Sequence, residues 1–201
     1  MRLGIVVLVG ACLMPVAARA DGEVQRLLDA KRTLAWNAAP SGKSQRYGHA
    51  ETLVDAPADK VRDTALDFDH YKDLHKKLRN ARVIRKDASG ADVYMKLPVK
   101  IGPFSVDQWS VMRFGPAKAL GGGAWLIEGR ETKGNMKDGH LAITVRPIDA
   151  KHSVLKVDLL LVPSLPAPQS MIDEELRDAA HDIANGLKDR SQGWVGPVVS
   201  L

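Results

Sequence analysis

Cysteine is almost missing from this 201-residue chain: there is one, Cys12, and it lies within the first twenty residues. Everything after residue 20 therefore lacks disulfides, thiolate metal sites and cysteine nucleophiles, a composition suited to an oxidising compartment. Aromatic residues are also sparse, at 5%, and no basic–aromatic stripe of the kind that tracks a nucleic-acid backbone is present. Nucleic acid is not an expected partner. No apolar run reaches the roughly 20 residues that a bilayer span needs. Catalytic signatures are missing as well: there is no nucleophile elbow, phosphate loop, dinucleotide fingerprint or metal-binding pair. Gly121-Gly122-Gly123 sits between two strands with no helix or Lys-Ser/Thr after it, so it reads as a hairpin loop. His70 and His75 are five apart, which on a helix points them away from each other and onto a solvated surface. No metal and no cofactor is expected.

What is present begins with export. Arg2 gives a positive start, Leu3 to Val9 is a short apolar run, and Pro15 precedes Ala18-Arg19-Ala20. Small residues at the −3 and −1 positions fit a signal peptidase groove, so residues 1–20 read as a signal peptide cleaved before Asp21. An alternative is a lipoprotein anchored through Cys12 of Val9-Gly10-Ala11-Cys12. The expected location is the periplasm or the medium. Cleavage removes two of the 29 basic side chains and none of the 24 acidic ones, leaving a small basic excess spread along the chain. That excess favours at most a transient contact with a membrane surface. The remaining length makes one domain with a sizeable core, expected to act as a monomer.

Residues 21–43 read as an N-terminal helix, Glu23 to about Trp36, followed by a linker containing Pro40, Ser41 and Gly42. Tyr47 to Val54 reads as the first strand. Asp55 or Ala56 caps the next helix, with Pro57 near its first position, where a missing N–H costs nothing. Val61, Ala65, Leu66 and Phe68 recur there at helical spacing, and a second short turn carries Tyr71, Leu74 and Leu78. From Ala81 the period becomes two. Strands are expected from Val83, over Val93 to Leu97, Phe104 to Phe114, Ala124 to Arg130, His140 to Pro147 and Ser153 to Val162. Six strands joined by short turns argue for an antiparallel meander. Pro163, Pro166 and Pro168 stop the last strand. Ser170 then caps a helix to about Arg190, whose apolar stripe is Ile172, Leu176, Ala179, Ile183 and Leu187.

This order of elements resembles the START-like superfamily, also called SRPBCC or helix-grip proteins, and is most similar to its polyketide cyclase/dehydrase and coenzyme-Q-binding branch. Val54-Asp55-Ala56-Pro57-Ala58-Asp59-Lys60-Val61 resembles that family's "apaekV" helix start, and Asp67-Phe68-Asp69-His70-Tyr71 resembles its "D-[FY]-x-x-Y" segment. An Arg82-Val83-Ile84 strand and the Leu165-Pro166 step fit as well. The resemblance implies an α+β helix-grip fold: a curved seven-stranded antiparallel sheet wrapped around a long C-terminal helix. Residues 44–194 would form a START-like ligand-binding domain, with 195–201 a tail. It also implies an apolar cavity between sheet and helix for a lipid, isoprenoid or polyketide.

The residues expected to line that cavity are Met95, Leu97, Val106, Leu126, Leu155 and Leu159 from the sheet, and Ile172 and Leu176 from the helix. Gln108 shares a face with Val106 and Met112 and is placed to orient a ligand carbonyl or hydroxyl. Binding of a hydrophobic small molecule, without catalysis, is the expected function. The alternative is a cyclase/dehydrase-type enzyme on a polyketide-like substrate, which needs ionisable groups converging in the pocket. Asp107, Glu128 and Arg130 are its candidates, with His140 as a proton shuttle at the mouth; each alternates with apolar neighbours and equally suits a solvated face. A third reading is an interaction module that docks through its N-terminal helix and tail.

Overall fold

A computed structural model describes residues 16–39, 45–101, 104–164 and 166–193. The expected signal peptide up to residue 15, including Cys12, lies outside the described residues, as do Leu165 and the tail. Helix α1, Val16–Ala30, is followed by β1 (Leu34–Ala38), β2 (Tyr47–Val54), helix α2 (Ala58–Ala65) and a 3-10 helix, Phe68–Asp73. Seven strands come next: β3 (Asn80–Asp87), β4 (Gly90–Ile101), β5 (Phe104–Phe114), β6 (Lys118–Gly121), β7 (Ala124–Gly134), β8 (Met136–Pro147) and β9 (Ser153–Pro163). Helix α3, Gln169–Ser191, ends the described chain. The sheet is antiparallel, in the order β1-β2-β9-β8-β7-β5-β4-β3, with β6 added beside β7.

The architecture is the expected α+β helix grip, with nine strands where the sequence suggested seven. Both extra strands are short. β1 occupies the end of the segment expected to be helical, because Lys31 adopts φ 52° and ends α1 early. The chain then reverses and pairs Leu34–Ala38 with β2, so tertiary pairing overrides the local helical pattern. β6 forms a small hairpin with β7 through Gly122 and Gly123, both at positive φ. Pro57 and Pro168 themselves occupy the N-cap positions of α2 and α3, so neither Asp55, Ala56 nor Ser170 caps a helix.

Period-two alternation decides what faces α3. Val93, Met112, Ile127, Ile143, Leu155 and Val157 point inward and are essentially inaccessible. Burying each such side chain contributes roughly 1.5–3 kcal/mol. α3 answers with Leu176, Ala179, Ala180, Ala184 and Leu187. It crosses β2 at Gly48, where any Cβ would collide with the Leu176 carbonyl, and it rests on Leu74 at Gly186. α1 lies against β2 through the buried Leu27, and the ion pairs Arg26–Glu51 and Glu23–Arg146 fasten it to the sheet.

One end of the interior is filled by an aromatic cluster. The Phe68 ring lies 4.7 Å from Phe114 and 5.1 Å from Tyr71, centroid to centroid. The Tyr71 hydroxyl donates to the Ala65 carbonyl at 2.6 Å, so the only polar atom of the cluster is satisfied. Gly129 leaves the space that the Phe114 ring occupies. β3 forms one free edge of the sheet, with a bulge between Val83 and Arg85 and with Arg82, Arg85 and Lys86 exposed.

Candidate ligand-binding cavity

The other end of the interior is not filled. Between α3 and the inner faces of β4, β5, β8 and β9 lie two adjoining chambers of about 70 Å³ each. They share His75, Leu97, Met136, Leu161 and Ala179. The outer chamber opens beside Pro163, Ala167 and Met171, where β9 crosses to α3. The inner chamber ends on Tyr71 and Leu74, so the aromatic cluster is its floor. Its walls are apolar, with Met95, Met112 and Leu159 prominent.

Six of the nine residues proposed from sequence meet here. Leu97, Gln108, Ile172 and Leu176 line the outer chamber, and Met95, Leu97 and Leu159 the inner one. The other three do not line it. Leu155 is on the inward face but fully buried in the packed core, opposite Thr52 and Val145. Val106 has inward parity but lies towards the β4–β5 turn, beyond the chambers. Leu126 is on the wrong face of β7: its neighbour Ile127 takes the core, and Leu126 pairs with Lys118 of β6.

The candidates for an enzyme face away from the cavity. Asp107 bonds Lys96 at 2.8 Å and lies near Arg79. The hydrogen bond from Lys96 holds its carboxyl below the ordinary value, against a smaller opposing effect of desolvation. Glu128 pairs with Lys118 at 3.0 Å, which lowers its carboxyl, and Arg130 is exposed. His140 is buried on the outer face of β8, 3.4 Å from the Tyr47 hydroxyl and 3.5 Å from Glu128. Burial, and then the charge of Arg130, push its imidazole below the ordinary value.

Gln108 apart, sequence reasoning missed the polar residues that do matter inside. His75 is not on a solvated helix: the 3-10 helix ends at Asp73, and His75 tucks beneath α3 into both chambers. Its Nδ1 lies 2.8 Å from Asp182 of α3, in a buried pair. Burial works to raise the Asp182 carboxyl, but the hydrogen bond from His75 and the nearby charges outweigh it and hold the group below its ordinary value. Gln108 is 3% exposed, and its Oε1 has no partner among the described residues. Ser110 adds a buried hydroxyl to the inner chamber, and Glu175, paired with Lys77 at 2.7 Å, stands at the outer one. Glu131 also turns inward near Gly139, and burial raises its carboxyl although the Met136 N–H opposes this. A sequence signal for His75 was its place within an apolar set, Tyr71, Leu74 and Leu78, all of which enter the inner chamber.

A second depression of about 490 Å³ lies where α1, β1 and α3 meet, and gathers Arg26, Arg32, Arg177, Asp178 and His181 around Trp36, with Arg26 paired to Glu51 and Arg177 to Asp178. It is open and lined by both polar and apolar groups, and it does not share a residue with the chambers.

By sequence, neither a family model nor a curated protein matches the chain. Solved structures do match its fold. A STAR-related lipid transfer protein from Xanthomonas axonopodis superposes with a TM-score of 0.66 at 15% identity, covering 82% of this chain and 96% of that one. A START superfamily protein from Mycobacterium smegmatis gives a TM-score of 0.58 at 15% identity, over 73% of this chain and 97% of that one. The Zhui aromatase/cyclase from Streptomyces sp. R1128 gives 0.57 at 14% identity, over 75% and 99%.

Proposed function

We propose that this chain, whose fold is the START-like helix grip, binds a hydrophobic small molecule such as a lipid, isoprenoid or polyketide between its sheet and α3. The observation that carries this reading is the pair of apolar chambers: residues of the right type to close a core leave space there instead. Similarity of fold to a lipid transfer protein and to an aromatase/cyclase supports a pocket protein and does not choose between carriage and catalysis. The choice rests on the site. A cyclase/dehydrase needs converging free ionisable groups; Asp107, Glu128, Arg130 and His140 lie outside both chambers, and those that do line them are already engaged, His75 by Asp182, Glu175 by Lys77 and the Tyr71 hydroxyl by the Ala65 carbonyl.

Volume shapes how a ligand enters. An apolar cavity of roughly 150 Å³ holds a benzene ring, so the two chambers in this form accept one ring or a short chain. A longer ligand enters by parting α3 from the crossover at Pro163 and Ala167. The leader-like residues 1–20 support export, so the ligand is met in the periplasm or outside the cell. The small excess of basic over acidic side chains beside Trp36 supports a transient contact with anionic membrane surfaces. Co-sedimentation with phosphatidylglycerol vesicles, abolished by high salt, checks this contact; equal binding to phosphatidylcholine vesicles refutes it.

Native mass spectrometry of the exported protein tests the main reading. The expected result is a chain beginning at Asp21 that carries an apolar adduct. Ala179 lines both chambers, and Ala179→Leu fills them, so this variant should fold normally and lose the adduct. An adduct that survives the substitution, or no adduct in either chain, defeats the proposal.

A further inference from the structure

The chambers carry one buried polar atom that the protein itself leaves unused, and this atom reports on the ligand. Gln108 Oε1 has no hydrogen-bond partner among the described residues, although the side chain is 3% exposed. Tyr71 donates to Ala65, Ser153 donates to Ala56 and His75 is bonded to Asp182, while the inward Glu131, whose Oε2 also lacks a partner among the described residues, does not line either chamber. A buried acceptor left unpaired is destabilising and is retained at a site that something else completes. Gln108 faces the outer chamber, between Leu97 and Met136 on the wall and Leu176 opposite.

The charges around the chambers exclude one class of guest. The ionisable residues lining them are Tyr71, His75 and Glu175. His75 is already matched by Asp182, and the nearby Lys77 is matched by Glu175. No cation that lines the chambers lacks an acidic partner, so an anionic headgroup would enter uncompensated. Burying an unpaired carboxylate is far more costly than burying a hydroxyl that finds a partner. With Asp182 ionised and acting as acceptor, the His75 Nδ1 carries its hydrogen towards it, which leaves Nε2 as the ring's other bonding position.

We propose that the ligand is a neutral amphiphile bearing a hydroxyl group, an alcohol or phenol on an apolar body, whose O–H donates to Gln108 Oε1. This rests on the cavity reading above and narrows it. A plain hydrocarbon leaves the amide oxygen unsatisfied, and a fatty acid anion brings a charge that no unmatched cation among the lining residues offsets.

Displacement of Nile red by three probes of one size tests the idea: 4-butylphenol, butylbenzene and 4-butylbenzoate, at about pH 8, where the benzoate is ionised and the phenol is not. The phenol should displace the dye at about tenfold lower concentration than either of the others, the equivalent of one net hydrogen bond. In Gln108→Met the phenol should lose its advantage over butylbenzene, while butylbenzene binds as before or better. Thermal melting of this variant should be unchanged or higher, since an unpaired polar atom has been removed. A benzoate that competes as well as the phenol overturns the proposal, as does a phenol preference that survives in Gln108→Met. A variant that melts lower and loses all three probes alike also overturns it, because Gln108 then holds the wall and not a hydroxyl. Nile red that binds the parent and Ala179→Leu equally well would instead remove the cavity reading on which the proposal stands.

Discussion

The two ends of the interior share the sheet and α3, yet one is packed solid by rings from the 3-10 helix and β5 and the other is left open. At the closed end, Tyr71 meets Phe68 and Phe114 edge to face while those two rings lie tilted against each other, and the one hydroxyl among them is bonded to the backbone. At the open end, methionines and leucines line free space, and a glutamine oxygen waits without a partner. Aromatic rings hold a fixed shape, whereas methionine adapts to what lies against it. Stability is thus concentrated where no ligand goes. Adaptability is concentrated where one can.

Substitutions at the two ends should therefore separate. The largest effect is expected from Phe114→Ala, which removes a fully buried ring from the closed end. A loss of about 3–5 kcal/mol in urea unfolding is expected, and a loss under about 1 kcal/mol would show that the cluster is not the anchor. Next comes Asp182→Ala, at the boundary between the two ends, which strands the buried His75 and should cost about 2 kcal/mol at neutral pH. Because the folded Asp182 carboxyl is held below its ordinary value, its ionised form adds stability above the unfolded-state pKa. That stability is lost as the pH falls through the folded value. The gap between parent and variant should accordingly shrink under acid, and a gap that widens there would contradict the assigned pairing. The smallest effect is expected from Met136→Ala at the open end, because it enlarges a space that already exists. Urea unfolding should move by less than about 1 kcal/mol, while dye binding should tolerate bulkier guests.

Strand parity made much of this comparison legible in the sequence. Val93, Met95 and Leu97 alternate with Asp92, Tyr94 and Lys96 as written in the chain, and α3 shows its apolar stripe plainly. What stayed hidden depends on partners distant in sequence. Leu34–Ala38 has no alternation of its own and becomes a strand only because β2 offers an edge. His75 was read by its spacing from His70, but its environment is set by Asp182, 107 positions away. Leu126 and Ile127 are equally apolar on paper, and the register of β7 against β8, which sets Ile127 opposite the fully buried Ile143, leaves Leu126 on the other face. Leu155 shows the remaining limit: inward parity says that a residue faces α3, not whether it meets packed atoms or free space.

The uncovered edge at β3 has a consequence for how one copy of the chain meets another. A flat unpaired strand invites its neighbours to add on and seed fibrils. Here the bulge between Val83 and Arg85 breaks the straight row of amides, and Arg82, Arg85 and Lys86 set like charge against any incoming copy. The rim is thereby kept from serving as a template for aggregation, however the open end behaves.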